Sequence, residues 1–183
     1  MGLGKTIQII SLIMADPHKS QQPTLIVAPL SVMSNWSAQA AAHVKTKYAP
    51  RVFIYHGQEN KGLTPAQFEE YDIVITTYQT MSQELYPYGH KEALKVPSTK
   101  GLFSITWRRI VLDEGHQIRN PKAKMTIAAC SLKASSRWVL TGTPSKLSRP
   151  SRSRTSFSCV PSPTKYCRSF LVVGLSESQD SAP

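Results

Sequence analysis

Five short apolar runs rich in β-branched residues recur along the chain: residues 24–28, 51–55, 72–76, 109–113 and 137–141. Runs this continuous, with little polar alternation, are the pattern of strands buried on both faces, which is how parallel strands sit. Between them, residues 5–14, 34–44, 78–85 and 122–132 carry apolar side chains at helical spacing. Strands that alternate with helices in this way build a parallel sheet with helices on both faces, so the fold class is α/β. At 183 residues the chain holds one such domain, and no internal repeat is visible. Residues 86–103 are rich in Pro, Gly and Lys and are expected to form a long surface loop. After Pro144 the periodicity stops and Ser, Pro and Arg dominate. The expected organisation is therefore a domain over 1–144 and a disordered tail over 145–183, in which only residues 170–173 could nucleate a strand.

Lys and Arg outnumber Asp and Glu two to one, for a formal net charge of +11. That balance favours an anionic partner, nucleic acid first among them, with a solubilising surface or basic tail as the plain alternative. Cys130, Cys159 and Cys167 form no CxxC pair, which fits a reducing compartment. No uncharged apolar run approaches a membrane span, and the N-terminus does not resemble a signal peptide, so a soluble intracellular protein is expected. The histidines at 18, 43 and 90 have no ligand spacing.

The chain opens with Met1-Gly-Leu-Gly-Lys-Thr6 and runs straight into a helical stretch. A phosphate loop is spelled Gly-x-x-x-x-Gly-Lys-Ser/Thr, and this chain begins at its third position. Gly2 and Gly4 let the backbone approach phosphate oxygens, and the amides that follow lie at a helix N-terminus, which favours an anion. Lys5 suits the β- and γ-phosphates of a nucleotide, and the Thr6 hydroxyl suits Mg²⁺. A second signal is Asp113-Glu114-Gly115-His116 at the end of an apolar strand. Asp113 is placed to bind Mg²⁺ and Glu114 to polarise an attacking water. A third is Leu140-Thr-Gly-Thr-Pro144, which taken alone is an ordinary turn.

In order, these blocks join Val27-Ala-Pro-Leu-Ser31 with Asn35-Trp36, and Ile75-Thr-Thr-Tyr78. The set over 1–144 resembles motifs I to III of the Swi/Snf-type ATPases of helicase superfamily two. Asp113-Glu-Gly-His116 followed by Gln117-Ile-Arg-Asn120 resembles the post-replication-repair and helicase-like transcription factor group, although many relatives carry Ala at the position of Gly115. The resemblance implies a single RecA-like lobe that binds ATP and Mg²⁺ at its strand ends. Gly2, Gly4, Lys5 and Thr6 would hold phosphate and Mg²⁺, and Asp113 and Glu114 the metal and water. His116, Thr141, Gly142 and Thr143 would couple the nucleotide to DNA. Pro29, Ser31, Thr76 and Thr77 would touch the DNA backbone, a task suited to hydroxyls and amides. For Ser31 and the two threonines a helix cap or turn is the competing role. Trp36 is expected to be a core residue.

The resemblance further implies a parent that is a DNA-dependent ATPase and double-stranded DNA translocase of chromatin remodelling or DNA repair type, in the nucleus. Whether its DNA is nucleosomal stays open. Three departures stand out: the start lacks the first loop positions and a preceding strand, the second helicase lobe is missing, and Ser145-Lys-Leu-Ser148 replaces the usual continuation of Thr-Gly-Thr-Pro. The incomplete lobe is expected to be inactive alone. The abrupt tail suggests translation out of frame, with a natural disordered basic tail as the rival. A second hypothesis for the chain is a non-catalytic module that keeps ATP or DNA binding.

Overall fold

A computed structural model describes residues 4–16, 22–57, 62–88, 92–141, 156–157 and 170–173. The four central strands are β1 (Thr24–Ala28), β3 (Ile73–Thr77), β4 (Thr106–Leu112) and β5 (Lys133–Leu140), with β2 (Val52–Tyr55) at one edge. The sheet order is β2-β3-β1-β4-β5, continued by β7 (Phe170–Val173) and the two-residue β6 (Ser156–Phe157). Every pairing is parallel except that of β6 with β7. Parallel pairing brings the C-terminal ends of β1, β3, β4 and β5 to one edge: Ala28 pairs with Thr77, Val27 with Leu112, and Leu112 with Val139.

Side chains of a strand alternate between faces, and the two halves of the core follow that period. Ile26, Ala28, Ile73, Ile75, Val111 and Leu140 pack with α1 (Lys5–Ala15) and α2 (Leu30–His43) on one face. Leu25, Val27, Val74, Ile110, Leu112 and Val139 pack on the other with α4 (Tyr78–Leu85) and α5 (Lys124–Ser131). The short α3 (Pro65–Glu69) adds Phe68 to this second face. Among the described residues no helix is long and apolar enough to cross a membrane.

Several expectations shift in detail. Helix α2 starts at Leu30, four residues before the expected position, because Pro29 at its N-cap presets the backbone and has no N–H to satisfy. Strand β4 begins at Thr106 although Arg108 and Arg109 interrupt the apolar run. Both arginines meet the carboxylate of Asp16, which offsets the cost of their burial. Strand β5 likewise reaches back to Lys133, and its buried Arg137 donates to the carbonyls of Ala129 and Leu132 at the end of α5. The surface-loop expectation for 86–103 is corrected at its end. Leu102 and Phe103 are core residues, held by the Leu102 N–H donating to Glu84 and the Trp107 indole donating to the Leu102 carbonyl at 2.9 Å. Of the tail, residues 170–173 extend the sheet along β5, and β6 had no signal in the sequence because it exists only through pairing. The remainder of 142–183 lies outside the described residues.

Candidate nucleotide site at the strand ends

The Asp16 bridge fixes the direction of α1. Its C-terminal cap is tied to Arg108 and Arg109 near the start of β4, so the helix runs antiparallel to that strand. Eleven helical residues span about 16 Å and seven strand residues about 23 Å, so the start of α1 arrives near the end of β4. Lys5 is therefore close enough to Asp113 for its charge to act on the carboxyl. Gly4 caps the helix with φ 64°, a left-handed conformation that glycine adopts without penalty, and its carbonyl accepts the Gln8 N–H at 2.9 Å. Among the described residues, a Cβ at Gly4 would meet nothing within 4 Å. Lys5 and Thr6 are half-buried there, while Gly2 lies outside the described residues.

Asp113 follows the last residue of β4, its N–H donating to the Val27 carbonyl at 2.8 Å. Three further bonds hold it. Trp36 Nε1 donates to Oδ2 at 2.9 Å, the Glu114 N–H donates to Oδ1 at 2.9 Å, and the Tyr78 hydroxyl donates to the Asp113 carbonyl at 2.7 Å. Burial raises the Asp113 carboxyl above its ordinary value; the bonds from Trp36 and Glu114 oppose that, the Glu114 charge adds to it, and the Lys5 charge opposes it. Burial also holds the Tyr78 phenol far above its usual range, helped by the charges of Asp113 and Glu114. Tyr78 is therefore a fixed donor at neutral pH.

Glu114 has φ 50°, the one positive φ at a non-glycine among the described residues. Its carboxylate meets exposed His116, with Oε2 3.2 Å from Nδ1. Gly115 is buried, and a Cβ there would overlap Val139 Cγ1. Thr141 is buried directly after β5, while Gly142 and Thr143 lie outside the described residues.

The four residues expected at DNA sit at the same edge in different states. Pro29 is half-buried and Ser31 exposed in the first turn of α2. The Thr76 hydroxyl is buried and donates to the Tyr55 carbonyl at 2.9 Å. Thr77 Oγ1 caps α4 by accepting the Thr80 N–H at 3.1 Å, so the competing cap role is realised at this residue.

The Trp36 and Tyr78 contacts to Asp113 were missed by sequence reasoning. Trp36 is a core residue, only 2% exposed, and its indole still reaches the site. No local pattern announces a bond between residues 77 positions apart.

Half-buried Asp113 and the Thr6 hydroxyl offer oxygen donors only, which fits Mg²⁺. Among the described residues no group of three or more His, Cys, Asp or Glu is arranged to hold a metal ion by itself.

A parallel sheet with helices on both faces, a lysine at a glycine-capped helix start and an acidic pair at the facing strand end define a RecA-like ATPase lobe. The chain belongs to the SNF2 family: the SNF2-related domain matches residues 1–149. It is 41% identical over 129 residues to a human protein named helicase-like transcription factor, covering 70% of this chain and 12% of that one. It is 35% identical over 167 residues to the DNA repair protein rad8 of Schizosaccharomyces pombe, covering 79% and 14%. The solved SWI2/SNF2 ATPase core of Sulfolobus solfataricus in complex with dsDNA superposes with a TM-score of 0.56 at 32% identity. That match covers 79% of this chain and 26% of the solved one. The chain thus spans a small part of each relative.

Proposed function

We propose that this chain is the ATP-binding lobe of a DNA-dependent ATPase that moves along double-stranded DNA. The observation that carries the reading is that the start of α1, which carries Lys5, and the end of β4, which leads into Asp113 and Glu114, lie toward one edge of the sheet, near enough for the Lys5 charge to act on Asp113. Phosphates would lie against the Gly4–Thr6 backbone with Lys5 as counter-charge. Thr6 and Asp113 would hold Mg²⁺, which supplies charge neutralisation on the phosphates when bound. The Glu114 carboxylate would accept a proton from the attacking water, and His116, 3.2 Å from it, would steady it.

DNA follows from the solved relative bound to dsDNA and from the net charge of +11. Ser31 offers an exposed hydroxyl to the phosphate backbone, whereas Thr76 and Thr77 would act through the turn they fix. We further propose slow turnover by this chain alone. A second cation at the transition state is worth roughly 10³–10⁵ in rate in related enzymes. The buried arginines Arg109 and Arg137 are committed to Asp16 and to α5 carbonyls. The names of the relatives, a transcription factor and a DNA repair protein, support a nuclear setting, which a fluorescent fusion would test.

The experiment is a titration of the chain with a fluorescent ATP analogue, with and without Mg²⁺, followed by phosphate release with and without duplex. Mg²⁺-dependent binding lost in Lys5→Ala, with little release, supports the proposal. Binding indifferent to Mg²⁺ and Lys5 refutes it. DNA-stimulated turnover near one per second would overturn the slow-turnover part alone.

A further inference from the structure

Asp113 is gripped from both faces of the sheet. Trp36 belongs to the core layer under α1 and α2, and its indole N–H reaches the carboxylate. Tyr78 belongs to the opposite layer under α4 and α5, and its hydroxyl reaches the main-chain carbonyl of the same residue. Each aromatic sits on the helix that begins at one of the two turns nominated for DNA. Trp36 lies on α2, whose N-cap is Pro29 and whose first turn carries Ser31. Tyr78 is the first residue of α4, immediately after its cap Thr77.

We propose that Trp36 and Tyr78 are positioning residues that tie the turns at 29–31 and 76–77 to Asp113, so that duplex DNA and Mg²⁺–nucleotide are linked through this pair. The inference rests on the functional reading above and adds the route by which one ligand is felt at the other's site. A rigid helix start that shifts against a phosphate backbone must carry its aromatic with it. Trp36 and Tyr78 are both about 2% exposed, so neither ring has free space in which to absorb the shift. The nearest yielding point is the strand-end residue to which both donate. Asp113 would then be drawn into, or out of, the position that suits Mg²⁺. By reciprocity, nucleotide binding alters DNA affinity by the same factor.

The chain has three tryptophans, so its indole N–H spectrum is simple. The Trp107 indole, bonded to the Leu102 carbonyl in the other layer, serves as internal control. The test is to titrate ¹⁵N-labelled chain with a short random-sequence duplex alone, and separately with Mg²⁺ and a non-hydrolysable ATP analogue. The Trp36 resonance, assigned by its loss in Trp36→Phe or through backbone connectivity, is expected to move in both titrations while that of Trp107 stays. The analogue's affinity is then compared with and without duplex. A change of about fivefold or more is expected in the parent chain, falling toward one in Trp36→Phe and in Tyr78→Phe. Tyr78→Phe removes a single oxygen and carries the test should Trp36→Phe not fold. A duplex that binds without moving the Trp36 resonance, or variants that keep the parent ratio, would overturn the linkage and leave the nucleotide site standing. Failure of the parent chain to bind Mg²⁺–nucleotide at all would instead overturn the functional reading, and the linkage with it.

Discussion

Replacing Gly115 with alanine puts a methyl group into space that Val139 already fills. The added Cβ would overlap Val139 Cγ1, and because a Cβ is placed by the backbone, either Val139 or the backbone at 115 must shift. Val139 is 1% exposed, β-branched and paired on both sides, with Leu112 of β4 and Val172 of β7. Its strand therefore cannot retreat cheaply. Overpacking of a filled core site costs about 1–3 kcal/mol. In a domain of this size that lowers the melting temperature by roughly 2–4 °C per kcal/mol. Val139→Ala empties the contested space and costs about 2 kcal/mol by itself. In the double variant the new methyl occupies that space, so the two losses should fall short of their sum by about 1–3 kcal/mol. The assay is thermal and urea unfolding of the four proteins as a double-mutant cycle. Additive losses, or a Gly115→Ala protein as stable as the parent, would refute the packing argument. Relatives with alanine at this position are expected to carry a smaller residue, or a shifted strand, opposite it.

Three further outcomes follow from the site. Glu114→Gly should be more stable than Glu114→Ala by about 1–2 kcal/mol, since both lose the carboxylate and only glycine relieves the left-handed backbone; equal melting temperatures would contradict this. Asp113 has its folded value raised above the ordinary 3.8. Its contribution to stability is therefore fully present below that pH and lost as pH rises through the raised value. Without divalent cations, Asp113→Asn should gain stability relative to the parent from acid to neutral pH, and a gap constant with pH in urea titrations would refute the sign. DNA binding should weaken steeply with salt, with a log–log slope of about −0.9 per phosphate contacted, and fluorescence anisotropy showing a flat response would count against backbone contact.

The centre of the sheet was legible because β1 and β3 are buried along their whole length and thus written as unbroken apolar runs. Strands β1 and β3 and helix α4 fall within a residue of where spacing places them. What escaped has a common cause. The extensions of β4 and β5 are charged, and Arg108, Arg109 and Arg137 enter the fold only because partners distant in sequence or lodged at a helix end receive them. Helix α3 is too short for periodicity, yet it carried a readable signal: Thr64, Pro65 and Gln67 form a capping box with proline at the first helical position. At the candidate site, the lysine, threonine and acidic pair were visible as motifs. The supports of Asp113 were not, because Trp36 and Tyr78 reach it only once the strand order β3-β1-β4 is set. Sequence spacing also gave no hint that the Thr76 hydroxyl faces inward to a neighbouring strand.

The central claim is that a nucleotide lies between the start of α1 and the end of β4, and amide chemical shifts test it most directly. Adding Mg²⁺ and ATP to the ¹⁵N-labelled chain should move the resonances of Gly4, Lys5, Thr6 and Glu114 together, with one saturation curve. The exposed residues at the start of β2, such as Arg51, should stay fixed. The shifts should vanish in Lys5→Ala and weaken when Mg²⁺ is withheld. Saturable ATP binding that leaves those four amides unmoved would contradict the account.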